Sequence, residues 1–221
     1  TKTAGIILES IQGGAGFIEP QNGFLTKVKK RCDEVGALLI IDEIQPGFGR
    51  TGKLFGFENY NVIPDVIIIG KGMGGGMPVG GFVANEKYMD LLSHDPKLGH
   101  ITTFGGHPVI AAACLATLQE VIETNLMQAA LEKEKLFRTL LVHPLIQEVR
   151  GKGLMLAAMT SDAEITNQVI LRCQDKGLIL FWLLFEGCAI RITTPLTISE
   201  DEIREGCAII LEVMDEIQSK L

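Results

Sequence analysis

Three short, unbroken apolar runs, at residues 4–9, 37–42 and 65–69, alternate with longer amphipathic or irregular stretches. A strand with one wet face alternates polar and apolar residues, whereas runs rich in Ile, Leu and Val belong to strands covered on both faces of a parallel sheet. The segment 23–36 between the first two runs then reads as the crossover helix of a βαβ unit. A polar side chain stands at or just past the end of each run: Glu9, Asp42 and Lys71. The carboxyl ends of parallel strands are where open α/β sheets place their ligands.

From Pro108 the pattern turns helical. Proline suits a first helical turn, where its missing N–H costs nothing, and the almost wholly apolar segment 109–118 behind it predicts early turns buried in the core. Near Thr124 and Asn125 the composition becomes charged, which divides the chain into domains 1–124 and 125–221. Strands follow at 146–150 and 154–159, then a helix over 163–176 ended by Gly177, then strands at 178–184 and 188–192. Ser161 with Glu164, and Ser199 with Glu202, have the spacing of capping boxes. Ile203, Cys207, Ile210, Met214, Ile217 and Leu221 recur every three or four residues and form one apolar stripe on a terminal helix. The expected fold class is α/β: a mostly parallel sheet with helices on both faces, followed by a smaller α+β domain. The chain opens almost directly on an apolar strand, so it is expected to be the later part of a longer protein.

Composition narrows the function classes. The 221 residues are 47% hydrophobic, enough for a substantial core, and carry a net charge of −7 with no stripe of Lys or Arg to track phosphates, which excludes a nucleic-acid partner. Five widely spaced cysteines, an odd number, point to reduced thiols in the cytoplasm. The apolar stretches are shorter than a membrane span and no basic-then-apolar leader opens the chain, so no membrane partner is expected. His94, His100, His107 and His143 lack metal-ligand spacing and read as surface or loop residues, with no metal site. Trp182 reads as core, and Met73 and Met77 as gap fillers unless they line a pocket.

Two nucleotide motifs fail on context. Residues 47–53 have the glycine and lysine spacing of a phosphate loop, but Leu54 stands where a hydroxyl must ligate magnesium. Gly70, Gly72 and Gly75 have dinucleotide-binding spacing, yet Pro78, Gly80 and Gly81 follow them instead of a helix.

The strand-end residues suit different chemistry. A pyridoxal phosphate site needs an amine to form an imine with the cofactor aldehyde, a carboxylate to keep the pyridine nitrogen protonated, and a neutral donor for the phenolic oxygen. Lys71, Asp42 and Gln45 supply these groups. Glycines and an apolar strand flank Lys71, so its amine is expected to be partly desolvated and closer to a neutral nucleophile. Thr102, Thr103 and the Gly105–Gly106 turn offer donors for a phosphate, or serve simply as a helix-entry loop. Arg191, within a short apolar strand, is either a carboxylate clamp or a partner in an edge-strand ion pair.

Taken together, segments 9–16, 39–53, 70–81, 103–108 and 191–195 resemble the signatures of the class III, fold-type I pyridoxal-phosphate aminotransferases, along the whole chain. The resemblance implies the cofactor pyridoxal 5′-phosphate, amino-acid and 2-oxo-acid substrates, and a homodimer. It implies that Lys71 and Asp42 are catalytic, Lys71 holding the imine and moving a proton and Asp42 pairing with the pyridinium. Gln45 would bond the phenolic oxygen, and Thr103 the cofactor phosphate of the partner subunit. Arg191 would bind the substrate carboxylate, and Glu9 would support the site from behind. Two positions depart from the pattern: Gly14 replaces a glutamate able to cover the arginine, and Ser10 replaces a common proline. An uncovered Arg191 favours donors and acceptors carrying an α-carboxylate. The family's preceding half is absent, so these residues alone are expected neither to hold cofactor tightly nor to turn over. Amino-group migration, decarboxylation and a non-catalytic dimerising fragment are the alternative readings.

Overall fold

The structure is a computed structural model that describes residues 2–220. These residues form two compact units, one of 2–10, 20–48 and 54–124, the other of 11–19, 49–53 and 125–220. The main division falls between Thr124 and Asn125, and two short segments from the earlier part of the chain join the second unit. Local contacts account for both. Leu154 N donates to Arg50 O at 2.9 Å and Phe185 N to Gly14 O at 2.9 Å. The approach at Arg50 needs a bare backbone, since a Cβ on Gly153 would lie 2.3 Å from Arg50 O and φ there is +60°.

The first unit contains β1 (Gly5–Glu9), α1 (Phe24–Val35), β2 (Leu38–Asp42), β3 (Val66–Gly70), β4 (Gly80–Ala84), α2 (Glu86–Met89) and α3 (Pro108–Glu123). Its sheet has the order β1-β2-β3-β4, with the first three strands parallel and β4 antiparallel at the edge. Helix α1 starts after Gly23 and stops at Gly36, whose left-handed backbone closes the last turn by donating to Cys32 O. Leu25 and Cys32 of α1 pack with Leu39, Ile41, Phe57 and Val62 in one buried cluster.

Helix α3 begins at Pro108 as its sequence predicts, but its early turns are not buried: Val109 and Leu115 are exposed and only Val121 is enclosed. An apolar helix is buried only where another layer lies over it. Within its unit α3 meets the turn after β3, where Thr117 and Ala113 lie against Gly75.

The second unit contains α4 (Leu126–Leu140), β5 (Ile146–Lys152), β6 (Met155–Thr160), α5 (Ala163–Asp175), β7 (Phe181–Trp182), β8 (Ala189–Ile192) and α6 (Glu200–Gln218). Its antiparallel sheet has the order β5-β6-β8-β7. Leu156, Ala158, Ile190 and Ile192 join Val169, Ile170, Phe137 and the α6 stripe in one core. Ile203, Cys207, Ile210, Met214 and Ile217 are all buried; Leu221 lies outside the described residues. Ser199 and Glu202 form the expected capping box, with Glu202 N donating to Ser199 Oγ at 3.2 Å and Ser199 N to Glu202 Oε2 at 2.7 Å.

Several local expectations are corrected. Helix α5 is capped by Asp162 rather than Ser161, its Oδ1 accepting from Glu164 N at 2.7 Å; a carboxylate one residue nearer the helix outcompetes the serine. The strand expected over 178–184 shrinks to Phe181–Trp182, and Trp182 on this edge strand is 38% exposed, not core. His143 lies in the loop before β5, as expected, but with its ring enclosed: its Nδ1 accepts from Leu145 N at 3.1 Å and its Nε2 pairs with Asp215 at 3.2 Å. All five cysteines are free thiols, with Cys32, Cys173 and Cys207 buried. Among the described residues no single helix is long and apolar enough to cross a membrane.

Candidate functional site

Parallel pairing brings the three strand ends of the first unit to one edge of its sheet. Glu9 lies opposite Asp42, and Asp42 opposite Ile68, two residues before Gly70 and three before Lys71. Glu9, Asp42 and Lys71 therefore leave the sheet side by side.

Past β2 the chain turns sharply because Asp42 Oδ1 accepts from Ile44 N at 2.9 Å. This turn carries Gln45 and lays the following loop against the turn after β3: a Cβ on Gly70 would touch Ile44 Cγ1 at 3.6 Å, and one on Gly72 would touch Phe48 Cβ at 3.8 Å. The amide oxygen of Gln45 is buried with no hydrogen-bond partner. Such an orphan costs about 1–3 kcal/mol unless something else satisfies it.

Lys71 opens a 3-10 turn, Lys71–Gly74, with φ of 45°. A left-handed backbone costs a non-glycine residue about 1–3 kcal/mol, and such strain concentrates at functional sites. The expected desolvation of its amine is not met, since Lys71 is exposed. Its glycine neighbours carry no side chains to cover it.

Glu43, next to Asp42, was not singled out from the sequence for this site. Successive strand residues point to opposite faces, so of two acids at a strand end one is turned inward. Glu43 is fully buried and accepts from Gly56 N at 2.6 Å and Phe57 N at 2.9 Å, fixing the loop beyond β2. Burial pushes its carboxyl up from the ordinary glutamate value, while the Ser10 hydroxyl and these two amides oppose that push. The Ser10 hydroxyl acts through proximity, since its geometry falls short of a hydrogen bond.

Thr103 lies in the exposed loop before α3, and its hydroxyl has no hydrogen-bond partner among the described residues. Thr102, Gly105, Gly106 and His107 of that loop line, with Met73, a cleft of about 470 Å³ in the first unit. The loop and the Lys71 turn thus share one cavity wall. Met73 is a lining residue rather than core filler, and Met77 is 37% exposed.

Arg191 belongs to the second unit. It sits on β8 between Ala157 of β6 and Phe181 of β7, not on an edge, and its Nε donates to Thr193 Oγ1 at 3.0 Å. No acid pairs with it among the described residues, which leaves its guanidinium fork free for a carboxylate. Gly14 lies in the same unit against Phe185, whose Cδ2 would stand 2.9 Å from a Cβ at position 14. A side chain there would have to push the exposed ring aside. Among the described residues no group of three His, Cys, Asp or Glu side chains could hold a metal.

Comparison with known proteins bears on this geometry. The sequence profile of the aminotransferase class-III family matches residues 1–214. The chain is 39% identical to the acetylornithine aminotransferase of Caldanaerobacter subterraneus, covering 96% of this chain and 54% of that protein. It is 43% identical to the putrescine aminotransferase of Pectobacterium atrosepticum, covering 99% and 47%. Among solved structures, ornithine δ-aminotransferase of Plasmodium falciparum superposes with a TM-score of 0.89 at 32% identity, covering 99% of this chain and 56% of that one. The acetylornithine aminotransferase of Elizabethkingia anophelis does so with a TM-score of 0.86 at 35% identity, covering 96% and 54%. The chain spans about half the length of the curated relatives it matches.

Proposed function

Because this chain belongs to the class-III aminotransferase family and has the α/β fold of those enzymes, we propose that the protein carrying it moves an amino group between an amino acid or amine and a 2-oxo acid. The single observation that carries this reading is the convergence of Asp42 and a strained Lys71 at one sheet edge beside the orphaned Gln45 amide. The cofactor implied, pyridoxal 5′-phosphate, supplies an aldehyde and a protonated ring that draws electrons from the substrate's α-carbon. The residues present fit it, since an acid, an amine and an unsatisfied amide lie on neighbouring turns.

In this reading Lys71 would hold the cofactor through its aldehyde, and its amine would take up the proton that leaves the substrate α-carbon. Its exposure leaves the amine accessible for both tasks. Asp42 keeps the proton on the ring nitrogen, and its bond to Ile44 N holds the carboxylate in one orientation. The Gln45 amide donates to the phenolic oxygen, with its nitrogen and oxygen exchanged relative to the orphaned arrangement. Thr103 binds the cofactor phosphate of a second copy, which implies a homodimer, and Glu9 supports Asp42 from the neighbouring strand. Arg191 binds the substrate carboxylate with two parallel hydrogen bonds. With Gly14 and the Phe185 ring in place of a covering acid, Arg191 stays open in both half-reactions, which favours partners bearing an α-carboxylate. Residues 1–124 then form the later part of the large cofactor-binding domain and 125–221 the small domain, in a cytoplasmic enzyme.

The test uses the full-length protein with added cofactor. Borohydride treatment is expected to fix the cofactor on Lys71, and Lys71→Ala is expected to abolish both this adduct and transfer to an added 2-oxo acid, a loss of about 10⁴-fold or more. An adduct without transfer would instead favour amino-group migration or decarboxylation. Faster turnover of a terminal amine such as 4-aminobutyrate than of α-amino acids would defeat the role of the open Arg191.

A further inference from the structure

A second arginine stands beside Arg191 in the second unit. Arg50 enters on the short segment 49–53, and its Nη1 donates to Leu154 O at 3.2 Å and to Thr194 O. Both carbonyls lie just beyond the paired ends of β6 and β8, where Leu156 lies opposite Ile192. Arg50 therefore spans the exit of the strand that carries Arg191. Thr194 directly follows Thr193, the acceptor for Arg191 Nε.

The charge in this corner is unbalanced. None of the ion pairs among the described residues includes Arg50 or Arg191. Arg50 is largely desolvated, and both this burial and the neighbouring Arg191 charge disfavour its cationic form. The Thr194 hydroxyl is buried with no hydrogen-bond partner. A desolvated cation without a counter-ion, beside a second cation and an orphaned hydroxyl, is an arrangement that an incoming anion completes.

We propose that Arg50 is a positioning residue of the carboxylate subsite: it braces the Thr193–Thr194 exit of β8 so that Arg191 is held in place, and it adds a second uncompensated positive charge behind it. This rests on the carboxylate role proposed for Arg191. A subsite with two cations and no acid discriminates against any amino donor or acceptor without a carboxylate, because binding such a molecule leaves both charges unpaired.

The test titrates the full-length protein with propionate, followed by ligand-observed NMR at several salt concentrations. Arg50→Met is expected to weaken propionate binding about tenfold and to reduce its salt dependence, since one cation is gone. Arg50→Lys keeps the charge but loses the planar span between two carbonyls, so it is expected to recover the salt dependence and to bind within about threefold of the unmodified protein. Unchanged propionate affinity in Arg50→Met overturns the proposal. If that variant does not fold, Arg50→Lys decides: a salt dependence that falls despite the retained charge overturns it. Arg191→Lys separates the two readings. Loss of binding there with none in the Arg50 variants sinks this proposal alone, whereas loss in the Arg50 variants with none in Arg191→Lys sinks the role of Arg191.

Discussion

Strands β3 and β4 of the first sheet and β6 of the second are similarly apolar but are covered to very different degrees. Every residue of β6 is buried, whereas β4 has none buried and β3 only Gly70. The helices repeat the contrast: α6 buries six side chains, while α3, apolar on nearly every side, buries one. Apolar content alone therefore does not decide burial; the number of layers packed against an element does. The first unit places its chemistry at exposed strand ends, and the second encloses its core around a strand-borne arginine that no acid pairs among the described residues.

Substitutions in the two units should separate them sharply. Leu156→Ala, in the closed core of the second unit, is expected to cost about 3 kcal/mol by urea unfolding, the removed methyl groups leaving a cavity that a rigid sheet cannot collapse. A cost near zero would mean that this core is looser than its burial suggests. The buried charge of the first unit gives a smaller, pH-dependent effect. Burial raises the Glu43 carboxyl above its ordinary value of 4.5, so the folded state keeps this proton to higher pH than the unfolded chain does. Stability from this group is then fully present below the ordinary value and is lost as pH rises through the raised one. Urea midpoints measured across that window should fall with pH in the native protein and flatten in Glu43→Gln. At the small end lies α3: Leu115→Ala, at a position 57% exposed, is expected to change stability by less than about 0.5 kcal/mol. A cost like that of Leu156→Ala would erase the difference between the units and show that another layer covers α3 in solution.

Much of the candidate site was legible before any coordinates. Asp42 and Lys71 were readable because each stands at the end of an unbroken apolar run, and parallel strands bring such ends to one edge. The Ser199–Glu202 box and the α6 stripe were readable because their spacing is a local property of a helix. Arg50 and the conflict at Gly14 were not, since both depend on segments distant in sequence: Arg50 bonds to carbonyls more than a hundred residues later, and Gly14 is constrained by Phe185. Glu43 lay between these cases. The alternation of a strand turns one of two neighbouring acids inward, but the partners of Glu43, the amides of Gly56 and Phe57, appear only once the loop folds back.

What the chain determines by itself is local: where strands and helices start, which residues end them, and the amine, acid and amide that stand at the strand ends. These follow from the periods of strand and helix and from capping, which need only near neighbours. Tertiary structure alone decides which apolar faces are enclosed, that Lys71 is exposed rather than desolvated, and that Arg191 has a second cation beside it and a ring where an acid would stand. Burial and electrostatic balance are sums over neighbours brought close by folding, and no window of sequence contains those neighbours.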